Sequence, residues 1–240
     1  MKHIAVDGQA IAVELSGEGR PLVLLHGLGA DRSQVRTALP PPSGFRCITP
    51  DMPGHGETPL QVGDGEIGFD RFAALLRGVL DRLEIERAVV GGISMGAAIA
   101  LRFALEAPER VAGLVLIRPS WLDGPARPHL EIVERVGHWQ ERLPKDAEAL
   151  LESDPEYSDL RKANPPAAAS VRALLTRRQA REGARVLGAM VADRPFARLD
   201  ALGGLARHAL VLANAGDPLH PVYIARALAG TLAKARLQTI

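Results

Sequence analysis

The chain has 240 residues, 47% of them hydrophobic, which suits one large domain or a domain carrying an inserted segment. Its 29 basic and 28 acidic residues leave a net charge of +1 and are scattered along the chain, which argues against a basic surface for nucleic acid or anionic membrane. The single cysteine, Cys47, cannot form an internal disulfide; with no apolar leader near Met1 and no run of about eighteen uncharged apolar residues, a soluble cytoplasmic protein is expected.

Strand and helix patterns alternate, which predicts an α/β fold with a mostly parallel sheet flanked by helices. Ile4 to Val6 and Ile11 to Leu15 flank Asp7-Gly8, a hairpin signal. Pro21 to His26 is a continuous apolar run, as expected of a central strand buried on both faces. Phe45 to Thr49 reads as a strand, and Phe69 to Leu83 as a helix with Phe72, Leu75, Leu76, Val79, Leu80 and Leu83 on one face. A short strand containing Val89 and Val90 leads to a helical stretch from Met95 to Leu105, which Pro108 stops. Val111 to Ile117 is the next strand. From Pro119 to about Pro195 charged helical segments are broken by Pro125 (which lies outside the residues the structure describes), Pro128, Pro144, Pro155 and Pro165-Pro166, with no strand pattern. This predicts a helical cap at 119–195 inserted into a core formed by 1–118 and 196–240. Strand character returns at Ala209 to Ala213 and Ala235 to Ile240, with a helix at Ile224 to Leu232 between them.

The most informative segment is Gly92-Ile93-Ser94-Met95-Gly96, a G-x-S-x-G turn between the short strand and the helix. A serine lifted to the tip of such a turn is expected at positive φ, with glycines where the neighbouring backbones pass too close for side chains. The helix that follows points its first amides at the spot where an oxyanion would form. His26-Gly27-Leu28-Gly29 forms a loop after the buried strand that can present the Leu28 amide to a substrate oxygen, with the Met95 amide as its partner. His26 itself reads as an anchor of that turn. Asp51-Met52-Pro53-Gly54-His55-Gly56 reads as architecture near the site, its carboxylate accepting backbone amides. Asp217, after the strand at Ala209, is well placed to orient a histidine, the other use of such a carboxylate being a helix cap; Asp123 is the second choice of acid. Trp121 and Trp139, with His26 and Gly27, are candidate pocket residues, although the stripe Leu130, Val133, Val136 and Trp139 reads first as the core of the cap itself.

His26-Gly27, Asp51-x-x-Gly54-x-Gly56, Gly92-x-Ser94-x-Gly96 and Gly216-Asp217, each at a strand end and in this order, resemble the α/β-hydrolase superfamily over nearly the whole chain. The resemblance implies the α/β-hydrolase fold with a helical cap, Ser94 as nucleophile, Asp217 as acid, and the Leu28 and Met95 amides as oxyanion hole. It implies hydrolysis of an ester, thioester or lactone of a small molecule through an acyl-enzyme, with no cofactor and no metal. A carbon–carbon bond hydrolase, a cofactor-free haloperoxidase, and a non-catalytic ligand-binding relative lacking the base are the alternatives. The expected partner is a small-molecule substrate, with no nucleic acid or membrane, and a homodimer is permitted.

The family's histidine lies after its last strand, whereas this chain stops at Ile240 within the run that reads as that strand. None of the seven histidines (His3, His26, His55, His129, His138, His208 and His220) reads as the base. His220 is three residues from Asp217 on a turn entering a helix, a spacing not expected to support a relay, and His129 and His138 fall in the cap. The expectation is that the base and a closing helix lie beyond Ile240.

Overall fold

Asp7 and Gly8 both adopt left-handed backbone, at φ 48° and 80°, and fold β1 (Lys2–Val6) back onto β2 (Gln9–Gly17) as an antiparallel hairpin. In this computed structural model, which describes residues 1–61, 67–124 and 127–240, that hairpin begins an eight-stranded sheet. The remaining strands are β3 (Arg20–Leu25), β4 (Phe45–Pro50), β5 (Ala88–Ile93), β6 (Val111–Ile117), β7 (His208–Ala213) and β8 (Lys234–Thr239). Their order is β1-β2-β4-β3-β5-β6-β7-β8, and β2 alone runs against its neighbours. Every strand expected from the sequence is present, within a few residues at its ends.

The two-residue period of a strand divides the core. Val23 and Leu25 of β3 and Ile48 of β4 face the main cluster, under α2 (Phe69–Arg82) and α3 (Met95–Glu106). Leu22 and Leu24 of β3 and Cys47 of β4 face a smaller cluster closed by Val35 of α1 (Arg32–Ala38). Helix α2 buries Phe72, Leu75, Leu76, Val79 and Leu80 along the stripe that its sequence spacing predicts, while α3 is buried on most of its circumference. Helix α1 has no counterpart in the sequence reading. It is short and buries one side chain, so it carries no periodic signal, although Asp31 caps it by accepting from Ser33 N–H at 2.8 Å.

Between β6 and β7 the described residues form helices and no strand: α4 (Glu131–Arg142), α5 (Ala147–Ser153), α6 (Pro155–Ala163), α7 (Pro165–Ala173) and α8 (Ala184–Ala192). The prolines that break this region in sequence start two of them, since proline suits the first helical turn and Asp154 and Asn164 cap Tyr157 and Ala167 amides from the preceding position. Helices α4 and α8 cross closely at Gly137, where a Cβ would lie 2.9 Å from Leu187 Cβ. Helix α9 (Val222–Thr231) joins β7 to β8. β8 is an edge strand paired in parallel with β7, and the Ile240 amide and carbonyl extend that ladder to Ala213 and Ala215. Among the described residues no helix is long and apolar enough to cross a membrane.

Candidate active site

Strand order reverses around β3, whose neighbours are β4 on one side and β5 on the other. In open α/β sheets ligands bind outside the carboxyl ends of strands at such a reversal. The loops that leave β3 and β5 here carry His26-Gly27-Leu28 and Ser94. Ser94 sits at φ 54° and ψ −109°, a conformation that costs a non-glycine residue roughly 1–3 kcal/mol. Its amide donates to Ile117 O on β6 at 2.8 Å, which holds the turn to the sheet. The glycines have a steric cause: a Cβ on Gly92 would lie 2.5 Å from Leu25 O, and one on Gly96 would strike the same carbonyl. The strained serine and the close passage of β3, β5 and α3 are thus one device.

The residues after β7 complete the arrangement. His220 Nε2 lies 3.0 Å from Ser94 Oγ, and His220 Nδ1 lies 2.9 Å from Asp217 Oδ2. The expectation that a three-residue spacing would not bring Asp217 and His220 together is corrected. The segment 217–220 is a β-turn, in which the first and fourth residues come side by side, with Pro218 supplying the fixed φ of the second position. His220 N–H donates to Asp217 O at 3.3 Å, and Leu219 N–H donates to Asp217 Oδ1 at 3.1 Å, closing the turn twice. Ser120 Oγ donates to Leu219 O at 2.8 Å, and Asn164 Nδ2 donates to Gly216 O at 3.0 Å, so neighbouring elements hold it. Helix α9 begins only after Pro221.

A residue that sequence reasoning missed, Arg118, stands beside this pair. It directly follows β6 at φ 47°, and its Nε and Nη2 lie 2.8 and 2.6 Å from Asp217 Oδ2. Burial acts to raise the Asp217 carboxyl, but the His220 hydrogen bond, the His220 charge and the Arg118 guanidinium outweigh it and hold the pKa at about 2. His220 is pushed below its ordinary value, chiefly by burial, with Arg118 acting in the same direction and Asp217 opposing. Its imidazole is therefore neutral near pH 7.

Two buried histidines tie the loops together. Met52 N–H donates to His26 Nε2 at 3.0 Å, and Gly29 N–H donates to His55 Nε2 at 3.0 Å. Each Nδ1 donates to a nearby carbonyl, Gly27 O and Pro53 O respectively, so both rings are neutral and cross-brace the loops after β3 and β4. Burial lowers both pKa values, that of His55 far below the usual range. Asp51 is fully buried and accepts the Arg32 and Glu57 amides at 2.7 and 2.8 Å, besides the Arg32 guanidinium, an architectural role.

A cavity of about 80 Å³ opens over Ser94 and His220. Of the four residues expected in a pocket, Gly27 and Trp121 line it, and His26 and Trp139 do not. His26 is committed to the loop brace, whereas Trp139 lies half-buried on α4, packed against the hydrophobic core. Trp121 is fixed by its indole N–H donating to Met190 O at 3.0 Å and by an edge-on contact with Phe69. Leu130 and Val133 line the cavity, so part of the α4 stripe faces the site while Val136 packs inside. Leu28 is at the rim, in a turn closed by Ala30 N–H donating to Gly27 O, and Met95 is the first residue of α3, whose amide has no acceptor within the helix. Asp123 instead accepts from Leu199 N–H at 2.8 Å and takes no part. Among the described residues no group of three or more His, Cys, Asp or Glu could hold a metal ion.

A family model described as alpha/beta hydrolase fold matches residues 20–240, and the chain belongs to that family. It is 38% identical over 112 residues to a 2-hydroxy-6-oxo-6-phenylhexa-2,4-dienoate hydrolase from Comamonas testosteroni, a match covering 45% of this chain and 39% of that one. The matches to the first curated relatives cover only 30% and 39% of their lengths. Among solved structures, Est816, described as an N-acyl homoserine lactone degrading enzyme, superposes with a TM-score of 0.75 at 25% identity over 100% of this chain and 91% of that one. A thermophilic esterase from Thermogutta terrifontis superposes with a TM-score of 0.72 at 27% identity over 99% and 87% of the two chains.

Proposed function

We propose that this protein is a cytoplasmic, cofactor-independent serine hydrolase that cleaves an ester, thioester or lactone of a small molecule, with Ser94 as nucleophile, His220 as base and Asp217 as acid. The observation that carries the reading is the pair of contacts from His220, Nε2 to Ser94 Oγ at 3.0 Å and Nδ1 to Asp217 Oδ2 at 2.9 Å, beside a cavity of about 80 Å³. Ser94 attacks the carbonyl while Nε2 of the neutral imidazole takes its proton, and Asp217 steadies the imidazolium through Nδ1. The Leu28 and Met95 amides hold the oxyanion, His220 returns the proton to the leaving group, and water releases the acyl group by the same path in reverse. The likeness to a lactone-degrading enzyme and to an esterase supports this substrate class. The segment from 119 to 195 acts as the cap that roofs the cavity, through Trp121, Leu130, Val133, Val171 and Leu174.

A fluorophosphonate probe is expected to label the protein at Ser94, with Ser94→Ala abolishing labelling and His220→Ala slowing it by roughly a thousandfold or more. Labelling that persists in Ser94→Ala, or that is as fast in His220→Ala as in the wild type, refutes the assignment. A second reading, carbon–carbon bond hydrolysis, is favoured by the identity to the Comamonas testosteroni dienoate hydrolase. Loss of dienoate absorbance with inertness toward simple esters would select it.

A further inference from the structure

We infer that Arg118 is a specificity-determining residue, which selects substrates carrying a carboxylate close to the reacting carbonyl by docking that carboxylate against the Ser94–His220–Asp217 group. This rests on the proposed serine-hydrolase reading and names its substrate class.

Three observations converge on Arg118. The first is its place. The described lining of the cavity is otherwise apolar or uncharged, apart from His220, and its one permanently charged side chain is Arg118. Asp217, the carboxylate that pairs with it, lies behind it with its side chain 7% exposed against 30% for the arginine. The cavity therefore meets a cation whose counter-charge is on the far side.

The second is backbone strain. Arg118 holds φ 47° at the end of β6, a conformation that a non-glycine side chain adopts at a cost. Its amide donates to Leu212 O at 2.7 Å, so β7 sets the bend that turns the side chain up into the site. A chain needing only to terminate a strand there would be served by glycine or asparagine.

The third is a conflict over one atom. His220 Nδ1 is 2.9 Å from Asp217 Oδ2 and 3.0 Å from Arg118 Nη2. A ring nitrogen has one in-plane site, so Nδ1 can donate to Asp217 or accept from Arg118, but not both. Only the first leaves Nε2 able to take the Ser94 proton. The second puts the proton on Nε2, facing the hydroxyl, and makes a useless base. Even in the productive form, a guanidinium this close opposes the imidazolium that forms during attack. The groups facing the His220 ring are Asp217 on its own turn, Arg118 from β6, Ser94 from the elbow and, at longer range, His129 before α4, which is itself held toward neutrality by burial.

A substrate carboxylate at Arg118 resolves the conflict. It draws Nη2 away from Nδ1, leaves Asp217 to the imidazole and offsets the positive charge. Substrates without one meet a base that is partly blocked.

The test uses two methyl esters of matched shape: monomethyl succinate, and methyl 4-methylpentanoate, which places an isopropyl group where the carboxylate stands. The wild type is expected to show a kcat/KM at least roughly tenfold higher for the acidic ester, the scale of one charge-assisted hydrogen bond. Arg118→Met should remove that ratio, and Arg118→Lys should retain part of it. With the neutral ester, the acid limb of the kcat/KM profile should move to higher pH in Arg118→Met, because removing the cation eases imidazolium formation. A merely structural arginine would lower both esters together and leave ratio and limb unchanged, which overturns the inference. Equal rates with both esters in the wild type also overturn it while leaving the hydrolase reading intact. Failure of fluorophosphonate to label Ser94, with neither ester cleaved, refutes both.

Discussion

Asp217 offers a stability test that does not depend on knowing the substrate. Its carboxyl moves from an ordinary 3.8 to about 2 on folding, because His220 and Arg118 outweigh the burial that would raise it. A depressed carboxyl favours the folded state while it is ionised, so the contribution is complete above about pH 5 and fades as pH falls toward 2. The displacement corresponds to about 2 kcal/mol at neutral pH, of which about 1 kcal/mol is lost between pH 5 and pH 3. Asp217→Asn keeps the shape and removes the titration. It should lower stability at pH 7 by about 2–4 kcal/mol, since it also leaves the Arg118 guanidinium without its anion. Urea melts at pH 7, 5 and 3 provide the measurement. The gap between wild type and variant should narrow by about 1 kcal/mol over that interval. A gap that stays constant from pH 5 to pH 3 would show that Asp217 is not held ionised by its neighbours, and the reasoning from its contacts would be wrong.

Gly96→Ala should destabilise by about 1–3 kcal/mol, because the new Cβ strikes the Leu25 carbonyl and α3 must move off β3. The thermal midpoint is expected to fall by roughly 2–4 °C per kcal/mol in a chain of this size, and an unchanged midpoint in calorimetry would contradict the close approach. His26→Ala strands the Met52 amide in a buried site and opens a void, at a combined cost of about 2–4 kcal/mol; denaturant titration measures it. Because the His26 brace holds the loop that carries Leu28, Ser94 labelling should slow in the same variant, and normal labelling would separate the brace from the site.

How much of this was readable in the sequence divides along physical lines. A strand buried on both faces leaves a continuous apolar run, which is why the one from Pro21 to Leu25 is legible. The elbow was legible because steric exclusion at Gly92 and Gly96 and strain at Ser94 leave a fixed spacing of residue types. His220 is not, because a three-residue spacing on a turn entering a helix does not by itself announce that the two side chains meet. The signal was present: proline second in a four-residue turn, with a carboxylate first, predicts that residues one and four meet. Arg118 left no signal, since one arginine after a strand looks like any solvated charge, and its partner is 99 residues away. Trp139 shows the converse: helical spacing puts it on the α4 stripe, but spacing alone does not say which end of a stripe reaches the cavity.

The single turn that carries both Asp217 and His220 changes where mechanical tolerance resides. Displacement of β7 against β5 would move Asp217 and His220 as one body, so their 2.9 Å separation is protected by local hydrogen bonds. All the slack falls on one span, the 3.0 Å between His220 and Ser94, and with it the whole sensitivity of the proposed reaction to motion between two halves of the sheet.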